Sequence, residues 1–207
     1  MHYFATVLIE ECPHDEAGIK AAVEKVMAPH EERWEPSPGC DPDDEDDDGI
    51  HSGHWDWWTI GGRYTGRWSE YEPASDPRNW EVCFLCHGTG MRTDERAREW
   101  RKENPDYTCN GCGIVEGSEN QRFGIPRGMS LKFAANWVRN EFDIIPVKKL
   151  LVLPVNPSYA IVTPDGFLAR ENWDGSTFHP VDSWPKVYLS KLREFPDHTA
   201  VIVDYHN

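Results

Sequence analysis

The stretch YAIVTPDGFLAR, residues 159–170, decides how the chain folds. Ile161-Val162 and Phe167-Leu168 flank Pro164-Asp165-Gly166, a turn sequence between two apolar pairs. Proline presets φ at a turn's first corner and glycine accepts positive φ, so a β-hairpin is expected. Further along, Ser183 and Pro185 open a short helix through Leu189 and Leu192, and residues 199–205 read as a last strand. Before the hairpin, residues 149–155 read as another strand. Residues 2–10 form a β-rich run suited to a buried strand. A helix starts near Pro13-His14-Asp15-Glu16, continues over Ile19, Ala22, Val23 and Val26, and ends at Pro29. Ser130 is placed to cap a helix over Leu131, Ala134, Ala135, Val138 and Phe142. Strands and helices mix without a regular βαβ rhythm. The expected class is therefore α+β with a mostly antiparallel sheet.

Between these halves lies a cysteine module. Cys83-Phe-Leu-Cys86 and Cys109-Asn-Gly-Cys112 are two CxxC turns with 22 residues between them. Each turn offers two thiolates to one metal, and two turns close a tetrahedral zinc site with no open position. Cys83, Cys86, Cys109 and Cys112 are thus the expected ligands of one structural zinc, with His87 as an alternate ligand. The expected domains are a core of residues 1–80 and 117–207, with the zinc module, 81–116, inserted. Within the module, residues 92–103 read as a charged helix or hairpin ending before Pro105. Cys40, His51 and His54 are candidates for a second metal site, weighed against plain loop histidines.

The chain has 207 residues and a formal charge of −15. Residues 1–50 hold 15 acidic and 3 basic side chains, and the run Asp41-Pro42-Asp43-Asp44-Glu45-Asp46-Asp47-Asp48 is the densest part. Residues 36–54 read as an acidic, solvated, flexible loop. An EF-hand is excluded, because its twelfth position would be Trp55 rather than a bidentate Glu. Bulk duplex DNA is an unfavourable partner for such a charge. A basic protein surface is the complementary one. No run approaches a membrane span, and the N-terminal MHYFATVLIEECP has no signal-peptide pattern, so a cytoplasmic protein is expected.

The segment DWWTIGGRYTGRW, residues 56–68, allows two readings. Period-two alternation would put Trp55 and Trp57 on one face of a strand, with Asp56, Trp58 and Ile60 on the other. Trp57, Trp58, Arg63 and Arg67 could then form a stacking, anion-binding surface for a nucleotide. Alternatively the tryptophans are core, and Arg63 pairs with Asp56 or with the acidic loop.

No GxSxG elbow, HExxH pair or Walker lysine is present, so no catalytic residue is assigned. His179, His198 and His206 with Asp182, Asp197 and Asp204 could supply acid–base pairs.

Two resemblances add to this. CFLCHGTGMR and YTCNGCGI resemble the cysteine-rich zinc region of DnaJ-type chaperones, whose repeat is CxxCxGxG. Only two repeats occur, the second departs after Cys112, and no HPD triad is present, so the likeness implies a zinc fold without chaperone activity. The DWWTIGGRYTGRW segment, the AIVTPDGFLAR hairpin and the terminal AVIVDYH together resemble a family of small bacteriophage and mobile-element proteins. That resemblance implies an accessory protein acting in an infected host by binding host or defence machinery. The leading expectation is a zinc-stabilised inhibitor of a basic host protein, its acidic loop partly imitating nucleic acid. The alternatives are a nucleotide or cyclic-nucleotide sponge, and RNA or single-stranded nucleic-acid binding by the zinc module. Residues 83–112 carry five basic and five acidic side chains, which weighs against the last.

Overall fold

A computed structural model of the chain describes residues 1–35, 37, 38, 50–112, 119–154, 156–173 and 177–206. In chain order the elements are β1 (His2–Ile9), α1 (Glu16–Met27), β2 (Arg33–Glu35), β3 (Ile50–Ser52), β4 (Trp57–Ile60), β5 (Trp80–Val82), α2 (Glu95–Glu103), α3 (Glu119–Arg122), β6 (Met129–Leu131), β7 (Ile144–Pro146), α4 (Val147–Leu150), β8 (Ala160–Thr163), β9 (Gly166–Ala169), β10 (Glu171–Trp173), β11 (Phe178–Pro180), α5 (Trp184–Glu194) and β12 (Thr199–His206). They form two compact units: Met1–Glu70 with Arg139–Asn207, and Tyr71–Val138.

The first unit is built on a sheet of order β4-β12-β1-β8-β9, with β7 pairing the start of β12. The β1–β8 pair is parallel, and the other pairs are antiparallel. The class is therefore α+β with a mostly antiparallel sheet. The 164–166 turn joins β8 to β9 as the sequence requires. β1 and β12 are apolar on both faces because both faces are covered. On one, Ile19, Val23 and Met27 of α1 pack against Ala5, Val7, Val201 and Val203. On the other, Trp184, Tyr188 and Leu192 of α5 pack against Phe4, Leu8, Ile161 and Ile202. Asp15 caps α1 by accepting from the Gly18 N–H at 2.7 Å.

Three expectations fail for physical reasons. No helix covers 130–142: Ser130 is paired with Glu81 in the β5–β6 ladder, and Asn140 caps a short 3₁₀ turn instead. The apolar stripe there is only half-buried, so no core rewards a helix. Residues 149–154 are not a strand, because Val147 and Leu150 bury at helical spacing in α4. Residues 50–54 are not loop throughout, since Ile50–Ser52 pairs with Arg33–Glu35. The rest of the acidic stretch, residues 36 and 39–49, lies outside the described residues.

Trp55 sits before β4 and is buried in the α1-side core with Trp58, while Trp57 is exposed. The alternation expected from Trp55 onward thus begins only at Trp57. Around Trp55, the His54 ring stacks on Phe167 at 3.9 Å, and the His30 ring lies 6.2 Å from His54. Burial lowers the pKa of both imidazoles from the ordinary 6.5, and His30 lowers that of His54 further. The unfolded chain therefore takes up protons first on acidification. Stability is full above about 6.5 and falls as pH drops through the folded-state values. Urea midpoints at about pH 7.5 and about pH 5.5 should differ less in a His30→Gln, His54→Gln double variant than in the wild type. An unchanged difference would show that these rings carry none of the effect.

The second unit has a thin apolar core. Among its described residues Ile125 is the one large aliphatic side chain fully buried, with Ala74 and Ala97 beside the cysteines. The unit is wider than the expected 81–116. β6 is needed to pair with β5, and Asn79 closes the segment. The Asn79 amide donates to Pro73 O at 2.9 Å, and its oxygen accepts from the Val138 N–H at 2.6 Å.

Candidate metal centre and the tryptophan-glycine loop

The four predicted cysteines come together. Cys83, Cys86, Cys109 and Cys112 are all buried, with their sulfurs within 4.8 Å of one another. The Cys83–Cys109 Sγ separation is 3.8 Å and the Cys86–Cys112 separation is 3.2 Å. A disulfide needs about 2.05 Å. Four thiolates around one tetrahedral ion at about 2.3 Å stand roughly 3.8 Å apart. The four residues are therefore placed to hold a metal ion, and an all-thiolate set suits zinc.

Local sequence explains the geometry. Gly88 and Gly90 sit at φ +85° and +73°, which side chains with a Cβ rarely adopt. A Cβ on Gly90 would lie 2.2 Å from Arg127 Nε. The freed Gly90 N–H donates to Cys86 Sγ at 3.3 Å. Burial raises the Cys86 thiol, but hydrogen bonds from Cys112 and from the Gly90 and Gly88 N–H groups outweigh it and bring it down to about 7, while burial pushes its neighbours Cys112 and Cys109 up. His87 is exposed and stands outside the sulfur cluster, so it is not an alternate ligand. Of the second candidate site, Cys40 and the His51 side chain lie outside the described residues, and His54 belongs to the Phe167 stack.

The 56–68 segment is held by two buried carboxylates. Asp204 accepts the Arg63 N–H at 3.1 Å. Asp143 accepts from the Thr65 hydroxyl, from the Gly66 N–H at 2.6 Å and from the Asn140 N–H at 2.9 Å. Burial outweighs these donors and pushes the Asp143 pKa up. The loop also approaches backbone closely: a Cβ on Gly62, at φ +55°, would lie 2.6 Å from Asp204 Cβ. Trp68 packs into the core beside Phe4.

The four residues expected to share a ligand surface do not all do so. Trp58 packs against the α1-side core, whereas its strand neighbour Trp57 points to the opposite face. Arg63 pairs with Asp204, its Nε 3.5 Å from Oδ2, and not with Asp56. Arg67 is exposed. The expected histidine–aspartate pairs also rearrange. Asp204 binds His2 Nδ1 at 2.9 Å, and Asp56 binds His206 Nδ1 at 2.9 Å. Asp197 pairs with Lys148. His2 gave no sequence signal, because its partner is 202 positions away.

The sequence reading also missed a cleft of about 500 Å³ beyond the ends of β1 and β8. Ile9, Val26 and Pro164 line it, with Glu10, Glu11 and Asp165 among its polar residues.

Fold and site together define an α+β protein with four buried cysteines placed to hold a metal ion. No protein-family model, curated protein or solved structure matches this chain. No helix among the described residues is long and apolar enough to cross a membrane.

Proposed function

We propose that this is a zinc-stabilised accessory protein that binds a basic host protein and inhibits it. The observation carrying this is the apolar exposure of the metal-bearing unit. Of the nine exposed large hydrophobic side chains among the described residues, five belong to it: Val82, Phe84, Met91, Trp100 and Phe133. Phe84, between the first two cysteines, is 74% exposed. Exposed aromatics on a metal-braced surface are what protein interfaces use as anchors. The basic character of the partner follows from charge. Residues 71–138 carry a formal −1, and the remainder carries −14. The carboxylates at the 500 Å³ cleft agree with this preference. The phage resemblance supplies the setting, the cytoplasm of an infected bacterium, and defence machinery as the target class.

The test begins with affinity capture from host lysate and mass spectrometry, followed by binding measurements on the purified pair. Phe84→Ala and Trp100→Ala should each weaken binding by about 2 kcal/mol. Replacing residues 43–48 with Asn and Ser should flatten the salt dependence of association. Binding that survives all these changes unaltered would reject the proposal.

A further inference from the structure

One end of the sheet carries a row of rings that the proposed function does not use. His2 of β1 faces His206 of β12, and His206 faces Trp57 of β4. The two imidazole centroids are 5.2 Å apart, and the His2 and Trp57 centroids are 5.8 Å apart. Residues directly opposite on adjacent antiparallel strands project to the same face, so the three rings form one shelf.

The shelf is held in place from below and from the side. Buried Asp204 fixes His2 through Nδ1, and Asp56 fixes His206 through Nδ1. With Nδ1 engaged, Nε2 is the nitrogen each ring has left for a ligand. Tyr64 donates its hydroxyl to His2 O at 3.0 Å, which ties the 62–68 loop to the same corner. That loop places Arg63 over Asp204 by its backbone N–H. The Arg63 side chain is 40% exposed, and its Nε stands a loose 3.5 Å from the carboxylate. Its terminal nitrogens are thus available for a bidentate contact with an oxyanion. Trp57 remains 37% exposed although it is large and apolar.

We propose that Trp57, His2, His206 and Arg63 form a binding site for a nucleoside 5′-monophosphate. The base stacks on Trp57, and the phosphate accepts from the guanidinium of Arg63 and from the Nε2–H of each ring in its doubly protonated form. The site differs from the surface expected from sequence by losing Trp58 to the core, leaving out Arg67 and gaining two histidines. It is independent of the protein-binding proposal, whose apolar anchors lie in residues 71–138 and whose tested acidic run is residues 43–48.

The full zinc-loaded chain is titrated with each of the four ribonucleoside 5′-monophosphates, with the matching nucleosides and with inorganic phosphate. Calorimetry and tryptophan fluorescence report binding. At least one monophosphate should bind about tenfold tighter than its nucleoside and about tenfold tighter than phosphate alone. Arg63→Gln, His206→Gln and Trp57→Ala should each lose about tenfold while melting like the wild type. All three altered side chains are partly exposed, and a melting curve confirms each fold. Silence across the four monophosphates overturns the proposal. So does equal binding of nucleotide and nucleoside, or wild-type affinity in Arg63→Gln.

Discussion

Replacing Cys109 and Cys112 together by Ser will abolish metal binding and unfold residues 71–138. The wild type should carry about one zinc per chain, and the variant none. The size of the effect follows from the thin core of that unit. Ile125 is its one fully buried large aliphatic residue among those described, and four cysteines occupy the centre. A structural zinc site contributes roughly 10–16 kcal/mol in small metal-folded domains, more than such a core supplies. The loss should appear as rapid proteolysis within 71–138 and as lost amide protection at β5, β6 and α2. The β1–β12 pairing belongs to the other unit, and its amides should stay protected. A chelator should reproduce the change in the wild type, and added zinc should reverse it. Full protection of β5 and β6 without metal would refute a structural role. Finding no metal in protein purified without chelator would refute the site itself.

Asp143→Ala will cost about 3 kcal/mol or more, the largest effect expected for a single substitution away from the cysteines. Asp143 is fully buried and accepts from the Thr65 hydroxyl and from the Gly66 and Asn140 N–H groups. Alanine would strand these donors where water does not reach them. Each buried unsatisfied donor costs about 1–3 kcal/mol. The same loop orders Arg63, so the variant should also loosen the Trp57 corner. Urea denaturation measures the stability change. A shift below about 1 kcal/mol would mean that water satisfies the donors and that the loop does not depend on the carboxylate.

Much of the architecture was legible because local rules met no competition. The 164–166 turn, the α1 cap at Asp15 and the CxxC spacing each act over a few residues. β1 and β12 were recognisable because strands buried on both faces read as unbroken apolar runs. The expected helix over 130–142 failed where a long-range pairing competed. Ser130 opposes Glu81, nearly fifty positions away, and such a ladder partner leaves no mark on local periodicity.

The candidate metal site shows the division well. The four cysteines name themselves by spacing, since a CxxC turn can bring two thiolates to one ion unaided. The tryptophan-glycine segment does not. Its residues suited either a core or a ligand surface, and both descriptions apply in part. Trp58 and Trp68 are packed against the core, while Trp57 and Arg63 remain exposed. Which side each residue takes depends on Asp143, Asp204 and His2. These lie between 55 and 141 positions from the loop residues they bind or touch. Composition and short-range spacing settled the fold class, the four cysteines that gather at the candidate metal site and the distribution of charge, because each depends on neighbours along the chain. The two buried carboxylates and the row of rings at the sheet end exist only once β12 has drawn both termini and β4 together, a pairing set by packing across the whole unit.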